Sequence, residues 1–440
     1  MPGRARRGGG APRHGVRLTG AATAADALAH AHRGAWATVV AAVARSVRDL
    51  DLAEDAAAEA FVQAAERWPA AGVPANPTGW LVTAARRRAL DQVRRRDGLV
   101  RRLPLLVTDE AVDDDLAAAG ERADRDAGRE VPAVFRSDLL RLLFTCCHPS
   151  LARESQVALT ARLVCGLTTE EVARLLVVPE STMAARVTRA KRKVAVAGIP
   201  FRVPSGAELP DRLDVVLTVV HLLLTAAHTS PVGEAVVRDD LLLRARELTG
   251  ALLALLPDEA EVAAVHALAL LTWARREGRC DADGHLLLLA DQDRTRWDTE
   301  SLAEADALVR RTLRRGRPGR FALQAAVAAC HATAPSYAET DWPEILGLYD
   351  LLLAAWPNPV VALNRTVALA EVAGPLAALA AVEAAGVPES YPYLHAVRAH
   401  LLRALGREPE AREAYTRAAA LTANQQERRF LLARRDDPPA

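Results

Sequence analysis

Residues 168–193 read TTEEVARLLVVPESTMAARVTRAKRK, a short helix that opens on acids, a brief break, and a second helix whose outer side is almost entirely basic. Thr168 or Thr169 can cap the first helix, with Glu170 and Glu171 in the opening turn where the helix dipole favours negative charge. Val172, Leu175 and Leu176 give that helix a stripe to bury. Pro179 stops any continuation and Ser181 is a good N-cap for the second helix, so the break falls where a helix-turn-helix needs it. In the second helix Met183, Val187, Ala190 and Val194 share one face, while Thr182, Arg186, Arg189 and Lys193 repeat the spacing one residue earlier. Lys191 and Arg192 widen the basic sector. Such a helix suits a DNA groove: Glu180, Ser181, Thr182, Ala185 and Arg186 lie near its start, within reach of base edges, and Arg189, Lys191, Arg192 and Lys193 can meet phosphates.

The other segments also read as helices. The apolar half of the 440 residues is mostly Ala, Leu and Val, aromatics are only 4%, and no long stretch alternates with period two, so an all-α chain is expected. A net charge of +1 conceals strong local segregation, so partners must be inferred segment by segment. Five irregularly spaced cysteines are not a disulfide framework. The longest apolar run, residues 215–227, is too short to span a membrane.

Six segments follow from composition. Residues 1–25 are a basic, Gly- and Arg-rich leader expected to lack compact structure. A first helical unit covers residues 26–97, with one stripe of Trp36, Val39, Val40, Val43 and Val47 and another of Ala57, Ala60, Phe61, Ala64 and Trp68. A Pro/Gly loop is expected over residues 69–79, and Trp80 then opens a third helix. An acidic linker, residues 98–135, leads to a second unit, residues 136–197, which ends in the helix-turn-helix. After a joint at residues 198–210, a helical region runs to residue 437. Near its end Ala378, Val382 and Ala385 recur 33 residues later as Ala411, Tyr415 and Ala418, close to the period of about 34 residues of tetratricopeptide helix pairs.

The first unit has a charge pattern of its own. Asp51, Asp55 and Glu59 form a row at helical spacing with Glu54 beside it, and the third helix carries Arg86, Arg87, Arg88, Arg94, Arg95 and Arg96 next to a Trp-bearing loop. An acidic row alone is more often a solvated face, but basic side chains beside aromatics can hold a single strand and stack its bases. Cys146, Cys147 and His148 do not make a zinc site, because adjacent cysteines cannot easily both ligate one tetrahedral ion and no CxxC partner exists. Asp281, Asp283 and Gly284 fail as a calcium loop, since its first ligand would fall on Arg279 and its terminal glutamate on Ala290. Residues 283–298 are instead expected to form a structured turn with a cluster of Asp291, Gln292, Asp293, Arg294 and Trp297. No P-loop, GxGxxG, HExxH or GxSxG pattern is present, and neither an enzymatic activity nor a cofactor or metal is expected.

The runs DLAEDAAAEAFVQAAERW and NPTGWLVTAARRRALDQVRRRD, followed by the helix-turn-helix, resemble a sigma-70-type factor of the extracytoplasmic-function group. With FTCCHPSL, DGHLLLLADQDRTRWD and VALNRTVALAEVAGP the chain is similar to the subgroup bearing a tetratricopeptide-like C-terminal extension. That resemblance implies two small helical sigma domains, regions 2 and 4, and a helical repeat domain. It implies that Asp51, Glu54, Asp55 and Glu59 dock on the clamp helices of the β′ subunit of core RNA polymerase, whose β flap is a further contact. Asn76, Trp80, Arg86, Arg87, Arg88, Arg94 and Arg95 would grip and melt the promoter −10 element, and the helix-turn-helix would read the −35 element. A bacterial, cytoplasmic, nucleoid-associated protein is expected, regulated in cis by its extension or by a protein or small molecule bound there, and without a membrane partner. A one-component regulator whose repeats sense a ligand is the alternative, and a scaffold a third reading; a stand-alone regulator has no use for the acidic row or the Trp80 helix. If Arg186 pairs with a guanine, Arg186→Ala weakens binding to the cognate −35 duplex by about 1 to 3 kcal/mol and little on scrambled DNA. Lys193→Ala mainly flattens the salt dependence. Titration of both variants on both duplexes at several salt concentrations checks the pair.

Overall fold

The structure, a computed structural model, describes residues 21–100, 133–176, 178–204, 208–229 and 236–437. Among these residues the chain is all-α, with no strand and one isolated antiparallel bridge between Cys280 and Leu286. Among the described residues no helix is long and apolar enough to cross a membrane. The expected linker lies mostly outside the described residues, as do residues 1–20 of the leader and part of the joint.

Three helices form the first unit: α1 (Ala21–Val47), α2 (Leu50–Ala71) and α3 (Pro77–Val100). Helix α1 starts inside the stretch expected to be a leader. It is buried on more than the one stripe read from the sequence, because Ala35, Ala37, Ala41, Ala42 and Ala44 are covered as well as Trp36, Val39, Val40 and Val43. A stretch buried all round, here residues 35–44, is an interior one, and α1 packs against α2, α3 and also the first helix of the second unit. Asp49 caps α2 by accepting the Leu52 N–H at 3.0 Å. The loop expected over residues 69–79 is shorter in the structure: α2 continues through Pro69 to Ala71 and ends at Gly72, whose φ of 85° suits glycine. Proline at that point deprives only the carbonyl four residues back, on the exposed Ala65 turn, so water can replace the lost bond.

The second unit consists of α4 (Ala133–Cys146), α5 (Arg153–Leu163), α6 (Thr169–Leu175) and α7 (Glu180–Val196). The extension begins with α8 (Leu209–His228), α9 (Asp239–Leu255) and α10 (Ala260–Arg275). An irregular segment with short 3-10 turns at Arg276–Gly278, Leu289–Asp291 and Arg294–Arg296 follows, then α11 (Thr299–Leu313) and α12 (Arg320–Thr333). One contiguous apolar core runs from α1 to α12, so both units and the first half of the extension are packed together.

Beyond α12 the cores are small and local. Helices α13 (Trp342–Ala355), α14 (Pro359–Ala373), α15 (Pro375–Ala384), α16 (Pro392–Ala404), α17 (Glu408–Leu421) and α18 (Gln425–Asp436) pack mainly on their chain neighbours, as in a solenoid. The repeated Ala378 and Val382, and Ala411, Tyr415 and Ala418, are all buried. Ion pairs keep the same step: Arg365 to Asp350 at 2.6 Å is matched 33 residues on by Arg398 to Glu383 at 2.9 Å.

Burial holds His221, His266 and His331, all in the extension, down to a pKa of about 4. His266 shares a 2.8 Å hydrogen bond with Thr249 Oγ1 beneath α10. A histidine whose folded pKa is depressed is protonated first in the unfolded chain, so its stabilising contribution is complete above about pH 6.5 and lost as pH falls toward 4. Thermal melts of the whole chain should therefore show a midpoint that drops across that window, and His266→Asn should flatten the drop.

Candidate nucleic-acid interface

Helix α6 is pinned at its start by a reciprocal cap. Thr168 Oγ1 accepts the Glu171 N–H at 3.1 Å, and the Glu171 carboxylate accepts the Thr168 N–H at 2.8 Å. The turn closes through a bond from the Val178 N–H to the Ala173 carbonyl at 3.0 Å. Helix α7 then begins at Glu180, two residues earlier than a Ser181 cap requires: Pro179 is the N-cap, and its carbonyl accepts the Met183 N–H. Ser181 therefore lies in the first turn with an exposed side chain, corrected from a cap to a surface group.

Met183, Val187, Ala190 and Val194 are all buried, as their spacing predicts. Opposite them Glu180, Ser181, Thr182, Ala185, Arg189, Arg192 and Lys193 are exposed and Arg186 is half-buried, a continuous face able to meet a duplex. Lys191 departs from this pattern. At 100° per residue it sits beside the buried Val187 and Val194 rather than beside Arg189 and Lys193, and it reaches α2. Its Nζ lies 2.9 Å from Asp51 Oδ1 and also pairs with Glu54. Burial pulls the Lys191 pKa down, but these two carboxylates more than offset it and leave it above the usual lysine value.

The acidic row is likewise divided. Glu54 is 8% exposed and is held by Arg162 of α5 as well as by Lys191. Glu59 accepts from Arg88 Nε at 2.7 Å, while Asp51 and Asp55 are exposed. Sequence spacing put Glu54 beside the row without revealing its burial, and it did not single out Arg162, whose partners are α2, the Leu167 carbonyl (2.9 Å) and the Trp36 ring. Trp36 is also approached by Gly166, where a Cβ would stand 3.2 Å from the indole and φ is +71°, so glycine lets the chain pass over the ring.

At the third helix Asn76 serves as the cap, its Oδ1 accepting the Gly79 N–H at 2.9 Å and its carbonyl the Trp80 N–H at 3.1 Å. The half-buried Trp80 meets Trp68 edge to face at 5.8 Å. Arg86 bonds the Ala42 carbonyl at 3.4 Å, and burial, with Arg45 nearby, lowers its pKa. Arg86 and Arg88 thus support the packing of the first unit, whereas Arg87, Arg94 and Arg95 are exposed. The Arg96 side chain lies outside the described residues.

The extension touches both units. Arg238, just before α9, forms ion pairs with Glu171 of α6 at 3.0 Å and with Asp240 at 2.8 Å. Arg244 of α9 bonds the Gly34 carbonyl of α1. Below them the fully buried Asp138 of α4 accepts from Arg45 of α1 at 3.4 Å and from Arg141 at 3.2 Å, and burial still raises its pKa. In the irregular segment Asp281 folds back on the N–H groups of Asp283 and His285, a self-satisfied turn. Trp297 stands between the guanidinium groups of Arg275 and Arg294, 5.1 and 4.7 Å from its ring, while Arg294 binds the His331 and Ala334 carbonyls at the end of α12.

Comparison with known proteins gives three family matches. Sigma-70 region 2 matches residues 35–98, Sigma-70 region 4 matches residues 141–194, and a family of unknown function (DUF6596) matches residues 212–313. An uncharacterized protein of Rhizobium meliloti (strain 1021) is 42% identical over 391 residues, covering 89% of this chain and 90% of its own length. No solved structure matches.

Cys146, Cys147 and Cys165 are buried, and burial pushes the last two thiols up to about 12 and Cys146 well above its ordinary value. A thiol-reactive probe at neutral pH should leave these three unmodified in the folded chain and label them once guanidinium unfolds it. Rapid labelling of all five under native conditions would contradict this core.

Proposed function

The chain belongs to the sigma-70 family of transcription initiation factors, and from that premise we propose that it is an extracytoplasmic-function factor that directs core RNA polymerase to promoters while its extension controls it in cis. The family is not enzymatic. One observation carries the reading: two matched regions each present a distinct exposed surface, basic on α7 and mixed acidic, basic and aromatic on α2 and α3. The exposed face of α7 reads the −35 element, with Arg186 at base edges and Arg189, Arg192 and Lys193 at phosphates. Trp80, Arg87, Arg94 and Arg95, beside the Asn76 turn, capture the opened −10 strand, where unpaired bases need stacking partners and cations. Asp51, Asp55 and Glu59 supply the acidic side of a contact with a basic polymerase surface, while Glu54, turned inward to Arg162 and Lys191, supports the helix that carries them. Such a factor works in the bacterial cytoplasm, at the nucleoid.

Regulation in cis is supported by where the extension binds. Arg238 holds the first helix of the helix-turn-helix and Arg244 holds α1, so the extension braces both DNA-binding units at once. The decisive experiment is run-off transcription with purified core polymerase on fragments recovered by genomic selection. Added protein should produce discrete start sites, and Arg87→Ala with Arg94→Ala should reduce them more on duplex than on pre-melted templates. Absence of initiation at every selected fragment would end this reading. The continuous core makes truncation a poor probe of regulation, because removing the extension strips apolar surface from α1 and α4; Arg238→Ala is cleaner and should alter promoter output without unfolding the chain.

A further inference from the structure

We infer that Arg275, Arg294, Trp297 and His331 form an oxyanion-binding site in the extension, and that its ligand is a phosphate group, free or carried by a small metabolite. All four lie on elements that the initiation reading leaves without a task. Arg275 ends α10, Arg294 and Trp297 belong to the irregular segment, and His331 is on α12.

Four buried nitrogens in this cluster find no hydrogen-bond partner: Arg275 Nε, Arg294 Nη2, Trp297 Nε1 and His331 Nδ1. The two guanidinium groups flank the Trp297 ring at 5.1 and 4.7 Å, and both help burial to hold His331 near a pKa of 4. A neutral His331 can carry its one proton on Nδ1 and donate it. Trp297 is 4% exposed, so its indole N–H has left water without gaining a protein acceptor. Buried donors are almost always satisfied, and donors gathered from an α10 end, a turn and α12 call for one shared acceptor.

Water could accept from these groups but would not balance their charge. Burial, with Arg279 and Arg294 close by, takes Arg275 down to about 10, and burial lowers Arg294 as well; no carboxylate counters either shift. The acids of the segment are engaged elsewhere. Asp293 accepts from the Thr295 N–H and hydroxyl at 2.9 and 2.6 Å, and Asp298 from those of Ser301 at 3.1 and 2.8 Å. Arg279, 8% exposed, adds a third cation, and the acid that acts on it, Glu427, accepts from the Tyr393 hydroxyl at 2.8 Å. Gln292 meets Arg275 only at 3.5 Å. The His331 and Ala334 carbonyls held by Arg294 Nη1 bring the partial charge of a helix end, not a full counter-charge. Three cations drawn from water against one acid favour a ligand with two negative charges. Phosphate has that charge, its tetrahedral oxygens accept from several sides, and a guanidinium fork matches them. A monocarboxylate offers one charge and two oxygens in a plane.

The test titrates the full-length protein, in buffer with chloride as the only small anion, with inorganic phosphate, glycerol 3-phosphate or succinate at constant ionic strength. Calorimetry should show saturable binding of a phosphate, and the melting midpoint should rise by about 3 °C at roughly a hundredfold excess over Kd. Tighter binding of the ester identifies a phosphorylated metabolite and tighter binding of the inorganic ion the free anion; either supports the site. Arg275→Gln should weaken binding about tenfold, and Trp297→Phe should weaken it less. In chloride alone Arg275→Gln should melt no lower than the parent, because it removes a charge that nothing neutralises. Arg189→Gln with Lys193→Gln, which strips cations from the DNA-facing side of α7, should leave phosphate binding intact. The site would be overturned by absence of saturable binding of either phosphate, by tighter binding of succinate, or by a response kept in Arg275→Gln and lost in the α7 pair. None of these measurements involves polymerase, so the site and the initiation reading can fail independently.

Discussion

Glu54 is the charge around which the two DNA-binding units are oriented. Helix α2 carries it on the side of the buried Leu50, Ala57 and Phe61, where burial leaves little access to water. An isolated carboxylate there would cost several kcal/mol, and two cations from the second unit offset that cost. Both must come from fixed directions. Arg162 is held in turn by the Leu167 carbonyl and the Trp36 ring, and Lys191 by its place on a helix whose adjacent stripe is locked into the core. A single buried acid thus ties α5 and α7 to α2, while the buried stripe of α7 fixes its roll and so decides which cations face solvent.

The extension adds to this frame rather than hanging from it. Its first helices continue the same apolar core, and Arg238 and Arg244 join it to α6 and α1. From α13 onward the packing becomes local, one helix against the next, with capping asparagines Asn358 and Asn424 opening α14 and α18. The chain therefore has a rigid half built on long-range contacts and a half whose shape depends on nearest neighbours. The irregular segment at residues 276–298 lies at their junction, where Arg294 ties it to the end of α12.

The parts legible in the sequence were those governed by local periodicity. The four buried residues of α7, the Thr168 cap, the interior face of α2 and the repeat pairs Ala378 with Ala411 and Val382 with Tyr415 follow from helical spacing and appear where spacing puts them. Alanine was the ambiguous residue: it fits either face, so the all-round burial of residues 35–44 of α1 could not be read from its valines. Long-range charge pairing was not visible either. Nothing local marks Lys191 as different from Arg192 or Lys193, or Arg238 as the partner of Glu171, because such pairings depend on how helices distant in sequence are stacked.

Charge counting alone also misjudges the DNA-facing helix. A composition argument gives α7 five equivalent cations, and each would add similarly to phosphate binding and its salt dependence. The structure divides them by burial. Arg189, Arg192 and Lys193 keep their hydration and can exchange counterions for phosphates, whereas Lys191 has already exchanged water for Glu54 and Asp51 and can reach DNA only by giving up that pairing. Its charge is therefore committed to the contact between the two units, while that of its neighbours is not. One helix turn thus carries both cations open to phosphates and a cation fixed to the other unit.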